Sequence, residues 1–185
     1  EGAQNLSVTQ KATITNMGAE LGATSSLFVY DDTMNAYLQN VGRYGDAEQT
    51  REFSDILKQD DVCLREPERV FHDIIDIDLD KIRPAHSGPY TPDRITAVSD
   101  FKELVSSEKW PEQVSAVLIG SCTNSSYSDL YAVAEILRQA DEKGLKVKVP
   151  FLLSPGSLRI YETIKRDGIL DTLTRAGAEI QAAAC

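Results

Sequence analysis

Apolar residues switch between two periods along the second half of the chain, and the switching predicts a β-α-β-α-β order. Residues 114–119 form a short apolar run rich in β-branched side chains, as a buried strand requires. Small polar residues fill 120–128. Leu130, Val133, Ala134, Leu137 and Ala140 then recur at helical spacing, with Gly144 just beyond as a C-terminal cap. Residues 147–153 read as a second strand. Ser154-Pro155-Gly156-Ser157 turns the chain, and Ser157 is placed to cap a helix over 158–166. Asp167-Gly168 interrupts, helical spacing resumes to Ala176, Gly177 ends it, and 178–183 read as a third, small-residue strand. Units in this order form parallel sheets with right-handed crossovers, and ligands collect beyond the carboxyl ends of the strands. The expectation is therefore α/β, with Cys122, Ser154, Ser157 and Cys185 at one edge of one sheet.

The first half is mixed. Met34, Tyr37, Leu38 and Val41 keep helical spacing after Asp31-Asp32, which can cap. Residues 47–58 read as a charged surface helix. Ile75, Ile77 and Leu79 alternate with Asp76, Asp78 and Asp80, so that stretch reads as a half-buried strand with a wet acidic side. A loop-rich connector holding Pro84, Ser87-Gly88-Pro89 and Pro92 runs over 82–93 and joins the two halves. Trp110-Pro111 is expected to anchor the start of the strand region.

Charge narrows the function classes. The 185 residues carry 19 Lys and Arg against 29 Asp and Glu, a formal net charge of −10. Such a surface repels phosphate backbones, so no nucleic-acid partner is expected, and no apolar run is long enough for a membrane helix. The first residues carry no basic-then-apolar targeting pattern. Three cysteines at wide spacing do not form a secreted disulfide scaffold, and a reducing compartment suits them. No closely spaced pair among Cys63, Cys122, Cys185, His72 and His86 makes a self-contained zinc site. Cys63, His72 and His86 match no motif and read as packing or surface residues.

The densest chemistry lies in Gly120-Ser121-Cys122-Thr123-Asn124-Ser125-Ser126. A cysteine in a small-residue loop at a strand end meets ligands, backbone N–H groups and short hydroxyls. On the residues alone three readings stay open: an inert buried thiol, a nucleophile at a helix start, or a metal or cluster ligand. No obvious histidine partner supports the nucleophile. The loop has one glycine and not Gly-x-Gly-x-x-Gly, which discourages a dinucleotide-binding module.

Residues 119–127, Ile-Gly-Ser-Cys-Thr-Asn-Ser-Ser-Tyr, resemble the first cluster-cysteine motif of aconitases. Residues 16–24, Asn-Met-Gly-Ala-Glu-Leu-Gly-Ala-Thr, resemble a second signature in its mitochondrial-type form. Gly88-Pro89-Tyr90-Thr91-Pro92-Asp93, Ser154-Pro155-Gly156-Ser157, Arg166-Asp167-Gly168 and Ala182-Ala183-Ala184-Cys185 resemble further family segments in the family's order. Val29 and Gln10-Lys11 depart from the family's usual residues at those places.

The resemblance implies a three-layer α/β/α fold with a mainly parallel sheet. Residues 1–88 would be part of one subdomain, and 89–185 the first part of the next. It implies a [4Fe–4S] cluster held by three cysteines. Cys122 and Cys185 would be two of them, and the third belongs to a Gly-Pro-Cys continuation that this chain lacks. In the family the fourth iron acts as a Lewis acid on the hydroxyl of citrate or isocitrate, by way of cis-aconitate. The residue matching Asn16 hydrogen-bonds toward the cluster, and the one matching Glu20 lies beside the open iron as a proton acceptor. Spaced four apart, Asn16 and Glu20 would share a face if both were helical. The implied partners are a tricarboxylic acid and the remaining aconitase domains, in a mitochondrial matrix or bacterial cytoplasm. The isolated chain is expected to be inactive. Alternatives are a homoaconitase or isopropylmalate dehydratase, or a non-catalytic RNA-binding iron-regulatory relative, which the net charge argues against.

Overall fold

The computed structural model describes residues 2–184. Helix α1 (Val8–Met17) opens with a reciprocal cap: Gln10 N–H donates to Ser7 Oγ at 3.2 Å, and Ser7 N–H donates to Gln10 Oε1 at 2.8 Å. Helix α2 (Asp32–Asn40) is capped by Asp31, which accepts from Met34 N–H at 3.2 Å. Helix α3 (Tyr44–Glu52) packs beside α2, with Asn35 Nδ2 donating to the Ala47 carbonyl. The expected helix over 47–58 thus starts three residues sooner and ends six residues sooner. Phe53 leaves helical geometry and the chain turns through Ser54, a residue type whose hydroxyl competes with helical bonding. A short α4 (Asp61–Arg65) follows.

Two expectations for the first half are corrected. Residues 75–78 form no strand, and Leu79–Lys81 is a single 3-10 turn started by Asp78, which accepts from Asp80 N–H at 3.1 Å. Ile75 is 82% exposed and Ile77 66%, so the alternation faces water on both sides. Period-two patterning makes a strand only where a neighbour satisfies the backbone, and no described strand pairs with this stretch. The connector, in contrast, contains β1 (Ala85–Ser87), which pairs antiparallel with β2 (Ile95–Ala97). Three-residue strands carry too little periodicity to be read from sequence. Helix α5 (Phe101–Ser107) follows, and Phe101 packs between His86, at a 4.1 Å centroid distance, and buried Trp110, at 5.7 Å. Trp110 packs against Phe101 and carries the Arg94 guanidinium over its ring.

The second half follows the predicted order. Strands β3 (Val117–Gly120), β4 (Phe151–Ser154) and β5 (Ala178–Ile180) form one parallel sheet in the order β3-β4-β5. The register sets Gly120 opposite Ser154 and Leu153 opposite Ile180. The strands are shorter than their apolar runs, since Pro150 has no N–H to give the ladder and its carbonyl accepts from Val117 N–H at 2.8 Å. Helix α6 (Tyr127–Glu142) joins β3 to β4; α7 (Leu158–Arg166) and α8 (Ile169–Arg175) join β4 to β5. Ser157 caps α7, accepting from Ile160 N–H at 3.1 Å, and Gly144 takes φ +70° just past α6.

Consecutive right-handed crossovers between strands laid down in one direction put all three helices on the same face. The core lies there: Leu130 and Ala134 of α6, Ile164 of α7, Ile169, Leu170 and Leu173 of α8, and Phe151, Leu153 and Ala178 of the sheet. Full burial of each large aliphatic side chain stabilises by roughly 1.5–3 kcal/mol. On the opposite face, Leu118 is 63% exposed and Glu179 is exposed.

Candidate functional site

The carboxyl edge of the sheet is drawn together by close backbone approaches. A Cβ at Gly120 would lie 2.7 Å from Ser154 Cβ and 2.8 Å from its carbonyl oxygen, so only glycine lets the two strand ends meet. A Cβ at Gly156 would lie 2.9 Å from the Ser125 carbonyl, to which Gly156 N–H donates at 3.1 Å. The loop after β3 and the loop after β4 are therefore stacked backbone on backbone. Beyond β5, Gln181 N–H donates to the Leu153 carbonyl at 2.7 Å, and Ser154 Oγ donates to the Ala182 carbonyl at 2.8 Å. The chain three residues short of Cys185 is thus tied to the residue paired with Gly120. Cys185 itself lies outside the described residues.

Cys122 sits two residues past Gly120, exposed, with Sγ 3.6 Å from Thr123 Oγ1. Ser121 before it holds φ +98°, a region L-residues occupy at a cost of about 1–3 kcal/mol. Ser125 is fully buried, and its hydroxyl has no hydrogen-bond partner among the described residues. Ser126 caps α6 in a reciprocal box with Asp129, their N–H groups bonding at 2.9 and 3.4 Å. That Ser-x-x-Asp signal is present in the sequence but was not part of the expected helix start. Tyr127 opens the helix, and the Asp167 carboxylate beside it pushes its phenol above the ordinary range, with burial adding to the effect.

Asn16 lies exposed in the last turn of α1, and Glu20 lies exposed in the turn that follows. The expected shared helical face stops short, because α1 ends at Met17. Gly18 N–H bonds back to Thr15, and Ala23 N–H returns to the Gly18 carbonyl at 2.9 Å, closing residues 18–23 into a tight loop. A Cβ at Gly18 would fall 2.0 Å from Ser26 Oγ, so the returning chain occupies the place of a side chain. Glu20 is thus presented from a loop.

One contact joins the two motif regions. Thr13 Oγ1 donates to Asn124 Oδ1 at 2.9 Å across 111 residues of sequence. The helix bearing Asn16 and the loop bearing Cys122 are therefore neighbours. Nothing in the helical pattern of residues 8–17 or in the loop composition signals this pair. Among the described residues no three His, Cys, Asp or Glu side chains converge to hold a metal ion. The donor chemistry suits a thiolate-held iron–sulfur group: an exposed soft sulfur, small neighbours, and an orphaned hydroxyl at the loop.

These features define an α/β protein with a candidate cofactor site at the carboxyl edge of a parallel sheet. The sequence model of the aconitase family (aconitate hydratase) matches residues 1–185, and the chain belongs to that family. It is 46% identical over 184 residues to an aconitase–ribosomal protein fusion of Schizosaccharomyces pombe, covering 100% of this chain and 20% of that protein. It is 44% identical over 185 residues to the mitochondrial aconitate hydratase of Gracilaria gracilis, covering 100% of this chain and 23% of that protein. It is 44% identical over 186 residues to the mitochondrial homocitrate dehydratase of Saccharomyces cerevisiae, with the same coverage of 100% and 23%. The chain spans about a fifth of the length of the curated relatives it matches.

Proposed function

We propose that this chain is the cluster-binding part of an aconitate hydratase, a hydro-lyase that interconverts citrate and isocitrate by way of cis-aconitate. The observation that carries the reading is the exposed Cys122 on a strained loop, with the Asn16 helix tied to that loop through Thr13 and Asn124. Cys122 and Cys185 are two of the three thiolate ligands of a [4Fe–4S] cluster, and the third belongs to another part of the parent. When bound, the cluster supplies a Lewis-acidic iron toward the substrate hydroxyl. Asn16 orients a hydrogen bond toward the cluster side of the pocket. Glu20, on a loop open to solvent and substrate, would accept a proton from water bound at the site. Residues 1–88 and 89–185 were the expected halves of two subdomains that meet at this site, and the β1–β2 pairing across residue 88 moves their border to before Ala85. The remaining domains supply the cationic groups that a tricarboxylate needs, because this chain's charge of −10 does not. The mitochondrial names of several relatives favour a mitochondrial matrix over a bacterial cytoplasm.

Homocitrate is the second substrate to test, since the homocitrate dehydratase is 44% identical, as close as the aconitate hydratase of Gracilaria gracilis. The deciding experiment is Cys122→Ser in the full-length parent, followed by iron content, cluster absorption and turnover of citrate and homocitrate. Loss of all three is expected. Unchanged iron content and turnover would overturn the assignment, and a preference for homocitrate would move it to the neighbouring hydro-lyase.

A further inference from the structure

Helix α1 lacks the usual means of holding a helix in place. It buries no apolar side chain: Ile14 is 52% exposed and Met17 49%. Its one buried residue is Lys11, at 3% exposure. The Lys11 ammonium is paired with Asp31 and donates to Thr33 Oγ1 at 3.2 Å, while Thr33 donates to Asp31 Oδ1 at 2.5 Å. Asp31 is also the N-cap of α2. One carboxylate therefore fastens the side of α1 to the start of α2. Two residues further along α1, Thr13 reaches Asn124 in the cysteine loop. Both anchors fall within three residues, and Asn16 follows in the next turn.

A buried ammonium is a costly way to gain stability, because desolvation offsets most of the attraction; what a paired, hydrogen-bonded charge does well is fix one geometry. An apolar side chain would pack against α2 in several rotations of α1. The Lys11–Asp31–Thr33 triad admits one.

We propose that Lys11 is a positioning residue for Asn16: its ion pair with Asp31 sets the rotation and tilt of α1 and so aims Asn16 at the site that Cys122 borders. The proposal rests on the hydro-lyase reading of that site.

The test uses the full-length parent with its cluster reconstituted. Lys11→Met, Lys11→Arg, Asn16→Ala and the Lys11→Met/Asn16→Ala double variant are compared by kcat and KM for citrate and by the paramagnetic resonance spectrum of the reduced cluster. Lys11→Met should lower kcat about tenfold and shift the spectrum in the direction of Asn16→Ala, and the double variant should stay within about twofold of Asn16→Ala alone. Lys11→Arg, which keeps the pair, should recover most of the activity. Multiplying effects in the double variant, or a lower melting temperature with unchanged kcat and spectrum, would overturn the proposal. Should Lys11→Met fail to fold, Asp31→Asn keeps the cap, removes the countercharge and reads the same cycle. Absence of any cluster signal in the unmutated parent would instead sink the hydro-lyase reading and is recognised before any variant is made.

Discussion

Gly120 and Gly22 are both glycines beside signature residues, yet they serve different ends. Gly120 has an ordinary backbone, but any Cβ there would meet Ser154 side chain and backbone within 3.0 Å. Gly22 has open space around it and holds φ +82°. Gly120→Ala should therefore destabilise by about 1–3 kcal/mol through overpacking and pry apart the strand ends that carry Cys122. Gly22→Ala should cost only about 1–2 kcal/mol of left-handed backbone strain and leave the sheet edge intact. Urea midpoints for both variants, with the backbone amide shifts of residues 120–126 as a local probe, check the difference. Equal losses with undisturbed shifts in Gly120→Ala would contradict the close-approach argument. The cysteine loop and its one glycine were visible in the sequence. Their strain and stacking were not, because φ at Ser121 and the distance from Gly156 to Ser125 depend on a second loop some thirty residues away.

At the scale of elements, the joint between α1 and α2 is polar and therefore sensitive to acid. Burial by itself would raise the Asp31 carboxyl; hydrogen bonds from Lys11, Thr33 and the Met34 N–H, with the Lys11 charge, outweigh it and hold the group below its ordinary 3.8. A carboxyl lowered on folding contributes stability that is fully present above its unfolded value and is lost as pH falls through the folded one. The protein should lose this contribution below pH 3.8, and Asp31→Asn should flatten that part of the stability curve, as measured by urea unfolding from pH 5 downward. Asp31→Ala removes cap and countercharge together and leaves Lys11 buried without its anion, a loss of about 3 kcal/mol at neutral pH. The residue types that cap α2 and α7 were legible, since Asp31 and Ser157 stand one place before a helical repeat. The function of Lys11 was not, because a lysine in a polar helix reads as a solvated side chain until the fold closes over it.

Across the whole molecule, burial is uneven. Every buried apolar residue except Ala47 lies at or beyond Trp110, and the main cluster belongs to β4, β5, α6, α7 and α8. Amide exchange should accordingly be slowest in β4 and α8 and fast over residues 60–82, where Leu64, Phe71, Ile75 and Ile77 are exposed. Strong protection over 70–80 in the 185-residue chain would show that this segment has a partner surface within it. The same chain is expected to turn over neither citrate nor homocitrate, for it spans about a fifth of the length of its relatives.

Local order came from the sequence alone: the β-α-β-α-β succession, the caps of α2 and α7, and the loop bearing Cys122 all follow from periodicity and residue type, which act within a few residues. Family membership was equally legible, because motif residues keep their identity whatever surrounds them. Only the tertiary structure decided that residues 75–78 remain without a strand partner, that α1 stops before Glu20, and that Thr13 meets Asn124. Each of these turns on which distant backbone group or side chain arrives to satisfy a hydrogen bond or occupy a space, and no local pattern encodes that arrival.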